Sequence, residues 1–206
     1  VETMTRDRGS CRISRDFCLE SHGLVSPRQR GLDGFSLIEL LAVLTVAMVL
    51  AGVAVPSFAT LMRENRLTAA ANELLGAILY ARSEAIKRGS RVTICTSSGL
   101  IDCKPNTGWH GGWIVFEDRS ANGEREEGES ILLVGDGWNG GPVITGNTPV
   151  RDYVSYVSSG ASRRLGGALQ MGTITFCDGG AARQIVISAS GRPRVVRVAS
   201  CDWRSS

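Results

Sequence analysis

Residues Arg30–Phe58 read RGLDGFSLIELLAVLTVAMVLAGVAVPSF, and the architecture turns on this stretch. From Leu40 to Met62 no side chain is charged. That run exceeds the roughly 20 apolar residues a helix needs to cross a bilayer. A helix buried in a soluble core usually keeps a polar face, and this one has none. A cleaved secretory signal has a shorter apolar region, about 7–15 residues, closed by a small-residue cleavage site. Here the block runs on into a helical pattern, so it reads as a retained membrane helix. Glu39 is the anomaly. A carboxylate inside a bilayer costs roughly 2.5–3.5 kcal/mol on insertion scales and normally has a partner. The nearest cations, Arg28 and Arg30, lie beyond Gly34. Glu39 either solvates itself at headgroup level or meets a new α-amino group created by a cut after Gly34.

The heptapeptide Gly34-Phe35-Ser36-Leu37-Ile38-Glu39-Leu40 resembles the class III signal of type IV pilins and type II secretion pseudopilins. The resemblance implies cleavage between Gly34 and Phe35 by a prepilin peptidase and N-methylation of Phe35. It implies that Glu39 serves docking between subunits during assembly. Pro56 sits where members of that family often break the N-terminal helix. The fold it implies is α+β: a long N-terminal helix, membrane-spanning in its first half, packed on a mainly antiparallel β-sheet domain. The expected organisation is a leader over 1–34, a transmembrane and assembly segment over 35–58, an amphipathic segment over 59–89 and a periplasmic β-rich domain over 90–206. The leader is polar, with six arginines and five acids, and contains Cys11 and Cys18. A translation start near Leu24 or Val25 would leave a short basic leader. Arg28 and Arg30 set the orientation, with the positive flank inside.

Behind the anchor, Leu67, Ala71, Leu74, Ile78, Ala81 and Ala85 recur at spacings of three and four, marking one helix face. Arg63, Arg66, Glu73, Arg82 and Lys87 fall on the other. Glu84 precedes Arg88 by four, and Gly89 is the stop signal. The pattern predicts one helix from Phe35 to Arg88. Thereafter short apolar or alternating runs predict strands over 91–96, 113–118, 130–134, 153–157, 173–177, 183–188 and 194–199. Glycine- and serine-rich loops are expected over 135–141 and 158–167.

The formal net charge is +3, unevenly spread. Residues 101–150 hold eight acids and three bases, whereas 151–206 hold eight arginines and three acids. Cys95, Cys103, Cys177 and Cys201 follow the expected cut. None forms a C-x-x-C pair and His110 is the single histidine of that portion, which argues against zinc. Of three possible pairings, Cys95–Cys103 and Cys177–Cys201 are chosen because each brackets a local loop or hairpin. Such pairs place the domain in an oxidising compartment, in keeping with the periplasm.

No catalytic constellation emerges. His110 lies in a glycine-rich turn with no serine or acid beside it to suggest a triad. There is no phosphate-binding or dinucleotide fingerprint, so no enzyme activity, cofactor or metal is expected. Asp118, Ser120, Asn122, Gly123, Glu124, Glu126 and Glu129 do fall at the offsets of a twelve-residue calcium loop. Their flanks read as strands rather than helices, and Arg125 takes a normally apolar place, so a polar hairpin loop is the preferred reading.

The stretch SGRPRVVRV, with GWIVFED and the four cysteines, resembles the GspH/FimT branch of the minor pilins. That resemblance implies a structural subunit of a type IV pilus or type II secretion pseudopilus, acting in filament initiation or at its tip. Its partners would be other pilins or pseudopilins, the prepilin peptidase and the inner membrane. Some members take up DNA through a Gly-Arg-x-Arg motif, here Gly191-Arg192-Pro193-Arg194. Arg192, Arg194 and Arg197 are accordingly candidate contacts to double-stranded DNA, with Arg163 and Arg164 secondary. An ordinary basic hairpin tip explains the same residues.

Overall fold

The structure is a computed structural model that describes residues 34–138 and 140–201, apart from the side chain of Pro56. The leader expected over 1–34 lies, Gly34 excepted, outside the described residues. One helix, α1, runs from Leu37 to Arg88. It continues through position 56, as the single helix expected from Phe35 to Arg88, although relatives often break theirs at such a proline. A spanning helix tolerates a proline, because neighbouring groups re-satisfy the freed backbone. From Phe35 to Arg66 no described side chain is buried, and by length and composition α1 is able to cross a membrane.

Burial begins at Leu67. Leu67, Ala70, Ala71, Leu74, Ala77, Ile78, Ala81 and Ala85 are buried along one face of α1. Five of these are alanines, whose short side chains allow strands to approach the helix closely. At the C-terminus, the Glu84 carboxylate accepts from Arg88 Nε at 2.6 Å and from Lys87 Nζ at 3.2 Å. Arg88 reaches on to Glu117 at 3.5 Å, tying the helix end to the sheet. Gly89 takes φ +65°, the left-handed turn that ends the helix.

Among the described residues eight strands follow: β1 (Val92–Thr96), β2 (Gly112–Glu117), β3 (Ile131–Asp136), β4 (Val143–Gly146), β5 (Tyr153–Tyr156), β6 (Gly172–Asp178), β7 (Ala181–Ile187) and β8 (Pro193–Val198). They form two four-stranded sheets, in the orders β3-β2-β1-β5 and β4-β6-β7-β8. Every adjacent pair is antiparallel. The expected sheet is thus divided in two, and β4 joins the expected strands. The buried face of α1 shares one core with Ile94, Val115, Val154 and Tyr156 of the first sheet and Ile144, Ile174, Phe176, Ile185 and Ile187 of the second. On the far side of the first sheet, Cys95, Ile114 and Phe116 form a smaller cluster under Leu100, Cys103 and Tyr153. Both faces of β1 and β2 are therefore covered, and both strands are buried throughout.

Two disulfides close the domain, Cys95–Cys103 and Cys177–Cys201. The first clamps the loop after β1 onto the outer cluster. The second ties the chain beyond β8 back to β6, across β7.

Candidate assembly and nucleic-acid interfaces

At the N-terminus, Gly34, Phe35 and Ser36 precede the first helical turn. The amides of Glu39 and Leu40 donate to the Ser36 carbonyl at 3.0 and 3.1 Å. Ser36 is thus the cap residue, and Glu39 stands three residues beyond it. The sequence signal for this was the Ser-x-x-Glu pattern of a capping box, overlooked beside the docking role. A carboxylate in the first turn is favoured by the unpaired amides and dipole of the helix start. Glu39 is therefore compatible with its position in the first turn, and both it and Phe35 are exposed.

The basic motif forms the turn between β7 and β8. Gly191 N–H donates to the Ser188 carbonyl at 2.9 Å and Ser188 N–H to the Arg192 carbonyl at 3.1 Å. Arg192 N–H also donates to Ser188 Oγ at 3.2 Å. Gly191 has φ +76°. A Cβ there would stand 2.6 Å from the backbone nitrogen of Ser162. The Tyr156 hydroxyl donates to the Gly191 carbonyl at 2.9 Å, pinning the turn to the other sheet. Burial pushes that hydroxyl well above the usual tyrosine range, so it stays a donor.

Arg192 and Arg194 are exposed and line an open groove of about 740 Å³ with Met171, Thr173, Val186 and Pro193. Arg194 stands opposite Val186 in the ladder, and Pro193 opposite Ile187. Pro193 opens an edge strand, where a missing N–H is tolerated. Arg197 is not part of this group. Side chains alternate along a strand, so position 197 faces the opposite side from 194. It lines a separate cleft with Glu64, Leu67 and Arg183. Arg163 and Arg164 lie in the loop that Gly191 approaches, where the Arg163 guanidinium donates to the Gly167 carbonyl at 3.5 Å.

The model of a family described as Type II transport protein GspH matches residues 70–191. This chain belongs to the GspH family. The match spans the buried half of α1 and both sheets as far as the β7–β8 turn. The pilin-like protein PilA1 of Thermus thermophilus is 29% identical over 164 residues, covering 79% of this chain and 97% of that protein. The crystal structure of the type IV minor pilin FimU of Pseudomonas aeruginosa PAO1 superimposes with a TM-score of 0.50 and 22% identity. It covers 69% of this chain and 99% of FimU, a likeness of fold.

In this GspH-family domain the acidic loop between β2 and β3 is built around two carboxylates. Glu129 accepts from the amides of Arg119, Ser120 and Glu126 at 2.8, 3.1 and 3.1 Å and from Ser120 Oγ at 3.2 Å. Burial works to raise its pKa, but these donors hold it below the ordinary carboxylate range. Asp118 is fully buried, and its Oδ2 accepts from Thr93 Oγ1 at 2.7 Å and from Gly123 N–H at 3.2 Å. Its Oδ1 has no hydrogen-bond partner among the described residues, and burial pushes its pKa up. The last residue of the calcium spacing thus faces the loop's own donors, and the first is shared between the loop and Thr93 of β1. Among the described residues no group of three acidic, histidine or cysteine side chains is arranged to hold a metal. The spacing is that of a carboxylate-stapled hairpin loop. His110 Nδ1 lies 3.3 Å from the Ile144 carbonyl, joining the short helical turn Trp109–Gly111 to β4.

Proposed function

We propose that this chain is a structural subunit of a type IV pilus or a type II secretion pseudopilus, processed between Gly34 and Phe35 and acting in filament initiation or at the tip. The observation that carries this reading is the placement of Gly34, Phe35 and Glu39 at the start of an exposed apolar helix that continues into a GspH-family domain. On this reading residues 35–58 anchor the chain in the inner membrane and the β-rich domain lies in the periplasm. The amine of methylated Phe35 and the Glu39 carboxylate of a neighbouring subunit form the docking pair. Its role is structural rather than catalytic.

Glu39→Ala tests this. Membrane insertion should be retained, because the change removes the one costly group of the apolar run. Incorporation into filaments, read by immunoblot of sheared fibres, should fall sharply; incorporation at the wild-type level would reject a docking role. N-terminal sequencing should begin at methylated Phe35, and a bulky or charged residue in place of Gly34 should block the cut.

A second reading, a filament-tip receptor for DNA, is favoured by one feature. Arg192 and Arg194 stand exposed on one rim, held there by the Gly191 turn. Among the described residues no aromatic side chain lines their groove, so the contact suited to it is with duplex phosphates rather than stacked bases.

A further inference from the structure

Arg183 of β7 and Arg197 of β8 are direct partners in the strand ladder. Like charges placed opposite one another destabilise a sheet. Arg183 is also only 8% exposed, on the same side of β7 as the core residues Ile185 and Ile187. Neither arginine makes a side-chain ion pair among the described residues. Together they line a cleft of about 160 Å³ whose other wall is Glu64 and Leu67 of α1. Arg183 is a buried cation with no ion pair among the described residues, which is costly, and the exposed Arg197 beside it adds a second positive charge at the mouth of the cleft, so the cleft suits an anion.

The size of the cleft selects the anion. One side-chain carboxylate fits, whereas a duplex cannot enter between a helix and a strand edge; Arg192 and Arg194 line the open groove on the other face. The same chain carries the complement. Glu124 and Glu127 in the β2–β3 loop are exposed and make no ion pair among the described residues. This loop belongs to the first sheet, the arginine pair to the second.

We infer that the Arg183–Arg197 cleft is a docking site for an acidic side chain of the β2–β3 loop of a second copy of this chain. Because the two patches differ, the contact is head-to-tail and leaves a free patch at each end, as a growing filament requires. The inference rests on the subunit reading above and adds a residue-level contact between globular domains.

The test uses the full chain in detergent, as an equal mixture of ¹⁴N- and ¹⁵N-labelled Arg197→Lys protein treated with a zero-length carbodiimide. Mass spectrometry should find the introduced lysine joined to Glu124 or Glu127 in mixed-isotope pairs. The yield should fall severalfold as salt rises from about 0.05 to about 0.5 M. Links confined to Glu64 of the same chain, or no link between copies, would overturn the inference. So would loss of the link on adding duplex DNA to protein also carrying Arg192→Gln and Arg194→Gln, which would assign the cleft to phosphate. As a second measurement, Arg197→Glu should abolish self-association, and combining it with Glu124→Arg and Glu127→Arg should restore it. A merely structural arginine would not be rescued from a distant loop, so failure to recover also counts against the cleft. Glu39-dependent filament incorporation of the Arg197→Lys protein without that crosslink would overturn the cleft and leave the subunit reading standing.

Discussion

Gly191 combines two demands that no other residue type meets. Its φ of +76° is a left-handed conformation, and its α-carbon lies against the Ser162 backbone, which cannot give way as a side chain could. Gly191→Ala should therefore destabilise the domain by about 1–3 kcal/mol, read as a lower denaturant midpoint with an unchanged slope. Asp118 makes a different prediction. Its pKa is raised by burial, so the folded state binds the proton more tightly than the unfolded chain does. Stability from this group is full at low pH. It declines as pH rises from the ordinary carboxyl value of 3.8 through the higher folded value. Glu117 runs the other way: with its pKa lowered chiefly by the hydrogen bond from Arg119, its contribution is present above 4.5 and lost as pH falls. Asp118→Asn should flatten the alkaline-going decline and raise stability at neutral pH relative to wild type. Unfolding curves across the pH range check this; a variant whose pH profile overlays that of the wild type would show that Asp118 is ionised without penalty.

At the scale of elements, the two disulfides divide the work by sheet. Cys177–Cys201 closes a separation of 24 residues and Cys95–Cys103 one of 8. Loop-closure entropy makes the longer worth about 3.5 kcal/mol and the shorter about 2.6 kcal/mol. Replacing Cys177 and Cys201 by Ala should cost more and should act locally. Hydrogen exchange should accelerate in β8, an edge strand held by one neighbour, while β1 and β2, buried on both faces, stay protected. The helix and most strands were legible in the sequence because their periods are long or their flanks carry turn residues. The strand β4 was not. Four residues between Pro142 and the Asn147-Thr148-Pro149 turn are too few to establish a period, and β4 exists because Ile144 finds Phe176 across the ladder. Pairing into two sheets was equally hidden, since it depends on which edges meet over α1. The grouping of the arginines was available, by contrast. Alternation along β8 separates Arg197 from Arg194, a distinction that counting charge alone overlooks. Arg183 went unremarked because a cation opening an apparent strand reads as solvent-facing until its burial is known.

At the scale of the molecule, this division gives the globular domain two cationic surfaces with different geometry, and nucleic acid should distinguish them. Duplex binding through exposed phosphate contacts releases counterions, so log affinity falls linearly with log salt, by about 0.9 per phosphate neutralised. Arg192→Gln and Arg194→Gln should each weaken duplex binding without regard to sequence and flatten that slope by about 0.9. The double variant should lose about 1.8, because the two contacts are separate phosphates. Arg197→Gln should leave the slope unchanged, since its side chain lines the narrow cleft by α1. Fluorescence anisotropy of labelled duplex against the full chain in detergent, across a salt series, measures wild type and all four variants. Equal flattening from Arg192, Arg194 and Arg197 would mean that general positive charge governs the interaction, and the turn built on Gly191 would then have no special part in it. A slope insensitive to Arg192 and Arg194 would overturn the DNA-receptor reading and leave the proposed subunit reading standing alone.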